Sequence, residues 1–432
     1  MRVPWQIKQL GCIGQCARGE MRILWLGHNL AYPPKGGPLQ RNYNLLKEAA
    51  KHHEVHALVF DQPASRPQGV TPQDCVEALR KFCAGVEWVP LPQDSLGLGR
   101  YCRAFGAMVS GEPYEFRWLR SEEMSARLTN LASRFRFDVV HVDTLGLSPY
   151  GLLVPHAGRV LNHHDIESAL VQRRASNERS AMRRAFWLRE SAHLLAAERR
   201  WCPTFDANLV VSEDEGQLVK ASCGNSAICV VPNGVDIEYF TPRPDPGGAQ
   251  LLFCGRLDQL ANKGAITYFF ESIWPQLTDR MKNVEINVVG KNPPAWLVRL
   301  SQHDPRVHVP GFVDDVRPYF QKSTVFVCPI TDGGGTRLKI LDALAMGMPI
   351  VSTTFAASGL RLYDGKHLLL ADTPADFVSK VCRLLSDKAQ RADLTLASRE
   401  VVVSAYAWEV IGQRLRDAYA AANSLRIAKR LS

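Results

Sequence analysis

The segment Thr331-Asp-Gly-Gly-Gly-Thr-Arg-Leu-Lys-Ile-Leu-Asp342 carries the densest chemistry in this 432-residue chain. An apolar run ends at Pro329, Gly333, Gly334 and Gly335 follow, and Thr336 marks the expected start of a helix. Glycines let the backbone approach a ligand closely, and a helix start offers unpaired N–H groups at the positive end of the dipole. The pattern reads as an anion site suited to a phosphate. Leu338, Leu341 and Ala345 give the helix a core face, and Met346-Gly-Met-Pro349 ends it before the next buried strand. A second stretch, Phe253-Cys-Gly-Arg-Leu-Asp-Gln-Leu-Ala-Asn-Lys-Gly264, sets Arg256 just past an apolar strand and Lys263 at the start of the next helix. Two such cations suit a diphosphate clamp, the arginine bidentate and the lysine a point charge.

Two further loops belong to the first half. In Gly27-His-Asn-Leu-Ala-Tyr-Pro-Pro-Lys-Gly-Gly-Pro-Leu-Gln-Arg41, Gly36 and Gly37 precede a helix and offer a second backbone face to a phosphate. The spacing is not G-x-G-x-x-G, which argues against a nicotinamide or flavin site. Val160-Leu-Asn-His-His-Asp-Ile-Glu-Ser168 places His163, His164, Asp165 and Glu167 at a strand end, aimed at a cleft. A helix cap by Asp165 with surface histidines is the plainer alternative, and metal ligation is weak because no one-face spacing is evident. Cys12 and Cys16 have no second pair nearby, which argues against zinc. G-x-S-x-G, H-E-x-x-H, a Walker loop and the D-x-D of metal-dependent sugar transferases are all missing from the sequence.

These loops need elements that hold them. Near-continuous apolar runs at 22–27, 54–60, 137–142, 159–163 and 208–212 read as strands, as do 250–255, 284–290, 306–309, 324–329 and 349–353. Helical patterns separate them, so the strands are parallel and covered on both faces. Two such series make an α/β chain of two doubly wound, Rossmann-like domains facing a cleft, with ligands at the carboxyl ends of the strands. Turn and linker chemistry at 225–248 divides the chain into 21–228 and 229–407. Residues 1–20 read as a disordered extension and 425–432 as a frayed basic tail. Trp408, Val410, Ile411, Leu415, Ala418 and Tyr419 share one side of a helix over 408–424.

Composition narrows the class. Hydrophobic residues are 46% and charged residues 22%, which excludes a disordered or fibrous chain, and no apolar stretch is long enough to span a bilayer. Eleven cysteines scattered through apolar segments suit buried free thiols in a reducing, cytoplasmic compartment. The net charge of +9 suits an acidic partner, and residues 171–200 alone carry +5. That segment is read as a solvated helix face or as a contact for an anionic membrane surface. Nucleic acid is disfavoured, because no fold signature or aromatic platform accompanies the arginines.

Val231-Pro-Asn-Gly-Val-Asp236, Gly255-Arg-Leu, Gly311-Phe-Val-Asp-Asp315, the glycine-rich helix and Pro349-Ile-Val-Ser-Thr353 together resemble the GT-B glycosyltransferases, in particular the retaining family 4 group. The resemblance implies that the second domain holds a nucleotide sugar, that the first holds a glycan, lipid-linked or small-molecule acceptor, and that the helix from Trp408 returns to the first domain. It implies donor contacts from Arg256, Lys263, Gly36, Gly37, Gly333, Gly334, Gly335, Thr336, Lys339 and Asp342. The backbone at Phe312 and Val313 would meet the base, and His164 would stand near the transferring sugar. Arg256 and Lys263 would share the catalytic work with His164 by stabilising the leaving diphosphate, with no metal and no cofactor. The family's Glu-x7-Glu falls on Gly334 and Asp342, so the first carboxylate is missing here. A subset with Gly-Gly-Gly-Thr-Arg-x-Lys fits better. The implied activity is sugar transfer in polysaccharide or glycoconjugate synthesis, in the cytoplasm or at its membrane face. A degenerate nucleotide- or glycan-binding scaffold and a nucleotide-sugar epimerase are the rival readings.

Overall fold

A computed structural model describes residues 19–63, 66–67, 69–91, 106, 111–224 and 226–431. The expectation for residues 1–18 lies outside the described residues.

The first sheet contains β1 (Arg22–Gly27), β2 (Glu54–Asp61), β3 (Gly85–Pro90), β4 (Val139–Asp143), β5 (Gly158–Asn162), β6 (Ala207–Val210) and β7 (Ile228–Val230). The second contains β8 (Gln250–Cys254), β9 (Glu285–Val289), β10 (Val307–Gly311), β11 (Val325–Cys328), β12 (Ile350–Ser352) and β13 (Leu369–Leu370). Their orders are β3-β2-β1-β4-β5-β6-β7 and β10-β9-β8-β11-β12-β13, with every pairing parallel. Both orders reverse direction beside the first strand, between β1 and β4 and between β8 and β11. Loops diverge there and leave a crevice, so the first-strand loops become the walls of a site.

Alternation along each strand explains the layers. Leu24, Leu26, Val140, Val142 and Leu161 face one core of the first domain, while Ile23, Trp25, Val139 and Val160 face another. The helix Trp408–Leu431 packs into the second of these, through Trp408, Ile411, Leu415, Ala418 and Tyr419. The Tyr419 hydroxyl lies 3.0 Å from His141 Nδ1, and His141 stacks on Trp25 at 3.7 Å. Burial pushes His141 down to about 3, so it serves as a neutral core ring.

Three sequence expectations need correction. β3, β7 and β13 are additional strands, and β7 pairs with β6, so the chain leaves the first sheet after Val230 and enters the second at Gln250. The basic tail is helical through Leu431, because Lys429 pairs with Asp206 at 2.7 Å and Arg430 donates to the His156 carbonyl. The helix after the glycine loop begins at Leu338, not Thr336, because Arg337 is held at ψ 93°, outside the helical region.

Candidate active site between the two sheets

The first wall is built where β1, β4 and β5 end level. Gly27, Asp143 and Asn162 are register partners across the three strands. Asp143 is fully buried. Its Oδ1 lies 2.8 Å from His164 Nε2 and accepts from Asn162 Nδ2 at 2.8 Å. Its Oδ2 lies 2.9 Å from His28 Nδ1 and accepts from Asn42 Nδ2. Burial alone would raise this carboxyl, but the two imidazoles hold it well below the ordinary range. The same contact raises His28 despite its own burial. The two half-buried rings stand 5.6 Å apart at 78°. Among the described residues, His28, Asp143 and His164 form a group close enough to hold a metal ion. Each carboxylate oxygen is engaged twice, and these bonds tie Asp143 to both rings in a hydrogen-bonded triad.

The rest of the 160–168 cluster disperses. His163 turns into the core beside Asn208 Oδ1 at 3.2 Å, and burial pushes it down to about 4. Thr144 Oγ1 lies 2.9 and 3.0 Å from the carboxylates of Glu115 and Glu167. Burial and the neighbouring Glu115 push Glu167 well above its ordinary range. Asp165 is not a helix cap: Ile166 holds that position, with no side-chain cap bond.

The second wall is the glycine loop. Gly333 and Gly335 adopt φ of 129° and 65°, which side chains rarely allow. Arg337 folds back and donates to the carbonyls of Gly334 and Gly335, the latter at 3.0 Å. No side chain caps the helix Leu338–Ala345, and the Ile340 N–H already donates to the Arg337 carbonyl at 2.9 Å, so the amides it offers an anion are those of Leu338 and Lys339. Lys339 Nζ donates to Asn262 Oδ1 at 2.6 Å and sits 4.5 Å from the Phe253 ring, and burial lowers its pKa. Asn262 Nδ2 in turn donates to the Arg256 carbonyl at 2.7 Å. A Cβ on Gly333 would touch Ala261 at 3.0 Å, so the loop and the helix Leu260–Tyr268 meet. Arg256 is exposed and paired with Asp258 at 3.1 Å. Lys263, the fourth residue of its helix, is exposed just beyond Asn262. Burial pushes Asp342 up to about 7 against the pull of Lys339, and its Oδ1 is buried without a hydrogen-bond partner.

The walls meet at several points. Gly36, at φ 103°, precedes the helix Gly37–Ala50, and a Cβ on Gly37 would lie 3.9 Å from Leu338. Lys35 reaches Asp314 at 3.3 Å and lies 5.3 Å from the ring of Phe312, which is exposed on the second domain. Val313 packs on that domain's core instead. Asn177 Nδ2 donates to Asp332 at 2.7 Å. Buried Arg41 donates to Asn162 Oδ1 at 2.9 Å and to Asn233 Oδ1 at 3.2 Å, and Asn233 donates to Thr336 Oγ1 at 2.7 Å. A chain of polar side chains thus runs from Asp143 to the glycine loop. Arg41, Asn233 and Asn262 stand in three of the quoted sequence segments without a role there, because contacts made between two domains leave no local spacing signal.

A family model described as Glycosyltransferase Family 4 matches residues 35–239, and one described as Glycosyl transferases group 1 matches residues 248–387. The chain belongs to the family 4 group of GT-B glycosyltransferases. Among family relatives, the phosphatidyl-myo-inositol mannosyltransferase of Mycobacterium tuberculosis is 26% identical over 231 residues, 49% of this chain and 58% of that protein. The D-inositol 3-phosphate glycosyltransferase of Nocardiopsis dassonvillei is 24% identical over 247 residues, 51% of this chain and 57% of its own length. The matched region therefore spans somewhat over half of these curated relatives. The GT-B fold extends further. Sucrose-phosphate synthase from Thermosynechococcus elongatus superposes with a TM-score of 0.67 at 15% identity, over 92% of this chain and 98% of its own. HepE of Anabaena, solved in complex with UDP, gives 0.63 at 15% identity, over 93% and 100%.

Proposed function

We propose that this chain is a retaining glycosyltransferase that takes a sugar from a nucleoside-diphosphate sugar and passes it to an acceptor hydroxyl. One observation carries the reading. The uncapped helix and cations of one wall, Arg256 and Lys339 linked through Asn262, belong to the side whose glycine loop meets Asp165, the residue next to the Asp143-held His164 of the other. A diphosphate leaving group gathers negative charge as its bond to the sugar C1 breaks. Arg256, Lys263 and the amides at Leu338 stabilise that charge without a divalent ion. The acceptor oxygen bonds to C1 on the same face, and its proton passes to the departing phosphate oxygen. No carboxylate nucleophile is required, which suits Gly334. Closure of the two walls keeps water from competing with the acceptor. The structural neighbour solved with UDP supports a nucleotide donor.

Thermal unfolding with UDP, GDP, ADP and dTDP, with and without magnesium, tests the donor site. Ligands that bind only the folded state raise its midpoint. One nucleotide is expected to do so independently of magnesium, and Arg256→Ala is expected to weaken it by about 1–3 kcal/mol, the worth of a hydrogen bond to a charged group. Unchanged affinity in that variant would remove Arg256 from the clamp, and no shift with any nucleotide would favour the scaffold reading.

The acceptor reading is a lipid-linked or membrane-proximal molecule at the cytoplasmic face. Residues 179–185, between and into the helices Glu167–Asn177 and Ala181–Trp201, are all exposed. They combine Arg179, Arg183 and Arg184 with Met182, which is 82% exposed. Vesicles containing anionic lipid are expected to bind the protein and to release it as salt rises. Binding that ignores salt and lipid charge would refute this surface.

A further inference from the structure

Gly334 is backed by a carboxylate from the opposite wall. A Cβ built on Gly334 would lie 2.4 Å from Asp165 Oδ1, 3.0 Å from its Cγ and 2.7 Å from Leu170 Cδ1. On Gly335 the nearest approach, 3.4 Å, is again to Asp165. Asp165 Oδ1 is itself buried with no hydrogen-bond partner. The position after His164 therefore inserts a carboxylate into the bend of the glycine loop, in the space that a side chain at 334 would need.

We infer that Asp165 is a donor-sugar-binding residue, whose carboxylate accepts a hydroxyl of the transferring sugar in place of a side chain at position 334. This rests on the glycosyltransferase reading of the site. The argument is one of charge and place. A carboxylate repels a diphosphate, so Asp165 does not belong to the phosphate subsite marked by Arg256, Lys339 and the uncapped helix. An unpartnered carboxylate oxygen takes neutral or cationic donors, and sugar hydroxyls are neutral donors. The sugar is bonded to the phosphate and must reach His164, and Asp165 adjoins both His164 and the loop. Burial pushes its carboxyl up, while His164, Arg337, Arg173 and the Gly335 N–H oppose that and favour the ionised acceptor. Gly334 is then a glycine for a reason local to this chain: a larger residue would collide with Asp165.

Calorimetric titration of the full chain with UDP, GDP, ADP and dTDP, and with their glucose and mannose conjugates, separates the possibilities. Asp165→Ala and the isosteric Asp165→Asn are expected to weaken the bound nucleotide sugar at least tenfold while changing nucleoside-diphosphate affinity less than twofold. Gly334→Glu is expected to lose nucleotide-sugar binding, and Asp165→Ala with Gly334→Glu is expected to recover at least tenfold over that single variant. Equal losses for nucleotide and nucleotide sugar would make Asp165 a loop-holding residue and overturn the inference. So would wild-type nucleotide-sugar binding in Gly334→Glu. A wild-type chain that binds none of these ligands would overturn the glycosyltransferase reading itself, and this inference with it.

Discussion

Asp143→Ala is expected to cost about 3–5 kcal/mol of stability, the range for removing one partner of a buried charge network. The variant would leave His28, His164, Asn42 and Asn162 facing a cavity with no acceptor. Asp143→Asn keeps the volume and isolates the charge. An amide offers one acceptor oxygen, so it cannot receive both imidazoles as the carboxylate does. His164 would then lose its fixed orientation, and kcat is expected to fall on the order of 100-fold, the low end for a misplaced acid–base or sugar-facing group. The pH dependence has a definite sign. The folded pKa of Asp143 lies below its unfolded value, so its contribution is complete above the ordinary aspartate range near 4 and is lost as pH falls through the folded value. His28 is raised, so its share is lost as pH climbs through its folded pKa, above the ordinary histidine value of about 6.5. The midpoint gap between wild type and Asp143→Asn should therefore be widest between these limits and narrow on both sides. A gap of constant size from acid to alkaline pH would show that the triad is not held by charge.

The sequence made some of this visible and hid the rest for physical reasons. All ten apolar runs became strands; nine lie inside the sheets, where parallel strands are covered on both faces and must be apolar, and the tenth, β10, is an edge strand still marked by Val307 and Val309. The three additional strands lie at sheet edges. Gly85–Pro90 carries Glu87 and is only partly buried, Ile228–Val230 is half-buried throughout, and Leu369–Leu370 is two residues long. An edge strand buries less, so its apolar signal is diluted. The glycine loop was legible because positive φ demands glycine. Asp143 was not: the strand read from the sequence stopped at Val142, one residue short of the carboxylate that organises the first wall. Arg41, Asn233 and Asn262 are ordinary polar residues until the two sheets bring them together. Asp165 stood in a polar cluster read as aimed at a cleft, with a helix cap as the plainer alternative. Its partner is Gly334, 169 positions along the chain and on the other domain.

Gly290→Ala is expected to damage the second domain and its site together. Gly290 follows β9, and a Cβ there would lie 1.7 Å from the Gly255 carbonyl oxygen and 2.8 Å from its carbon. Both atoms are backbone, so no side-chain rotation relieves the overlap. The neighbourhood is stitched on every side: Gly255 N donates to Val289 O at 3.0 Å, Leu257 N to Lys291 O at 2.9 Å and Gly290 N to Gly311 O at 2.9 Å. Relief requires separating the ends of β8 and β9, at about 3 kcal/mol, the upper end for forced overpacking. Any such shift moves Gly255 against Lys339 and carries the Arg256 carbonyl away from Asn262. Nucleotide affinity should fall with stability, because one displacement causes both. Gly264→Ala supplies the contrast. It lies in the helix Leu260–Tyr268 with nothing within 4 Å of an added Cβ, so it should stabilise by roughly 0.5–1 kcal/mol and leave binding unchanged. Denaturant unfolding and nucleotide titration of both variants decide the matter. A Gly290→Ala chain as stable and as tight-binding as wild type would mean that the close approach of β8 and β9 does not shape the donor wall.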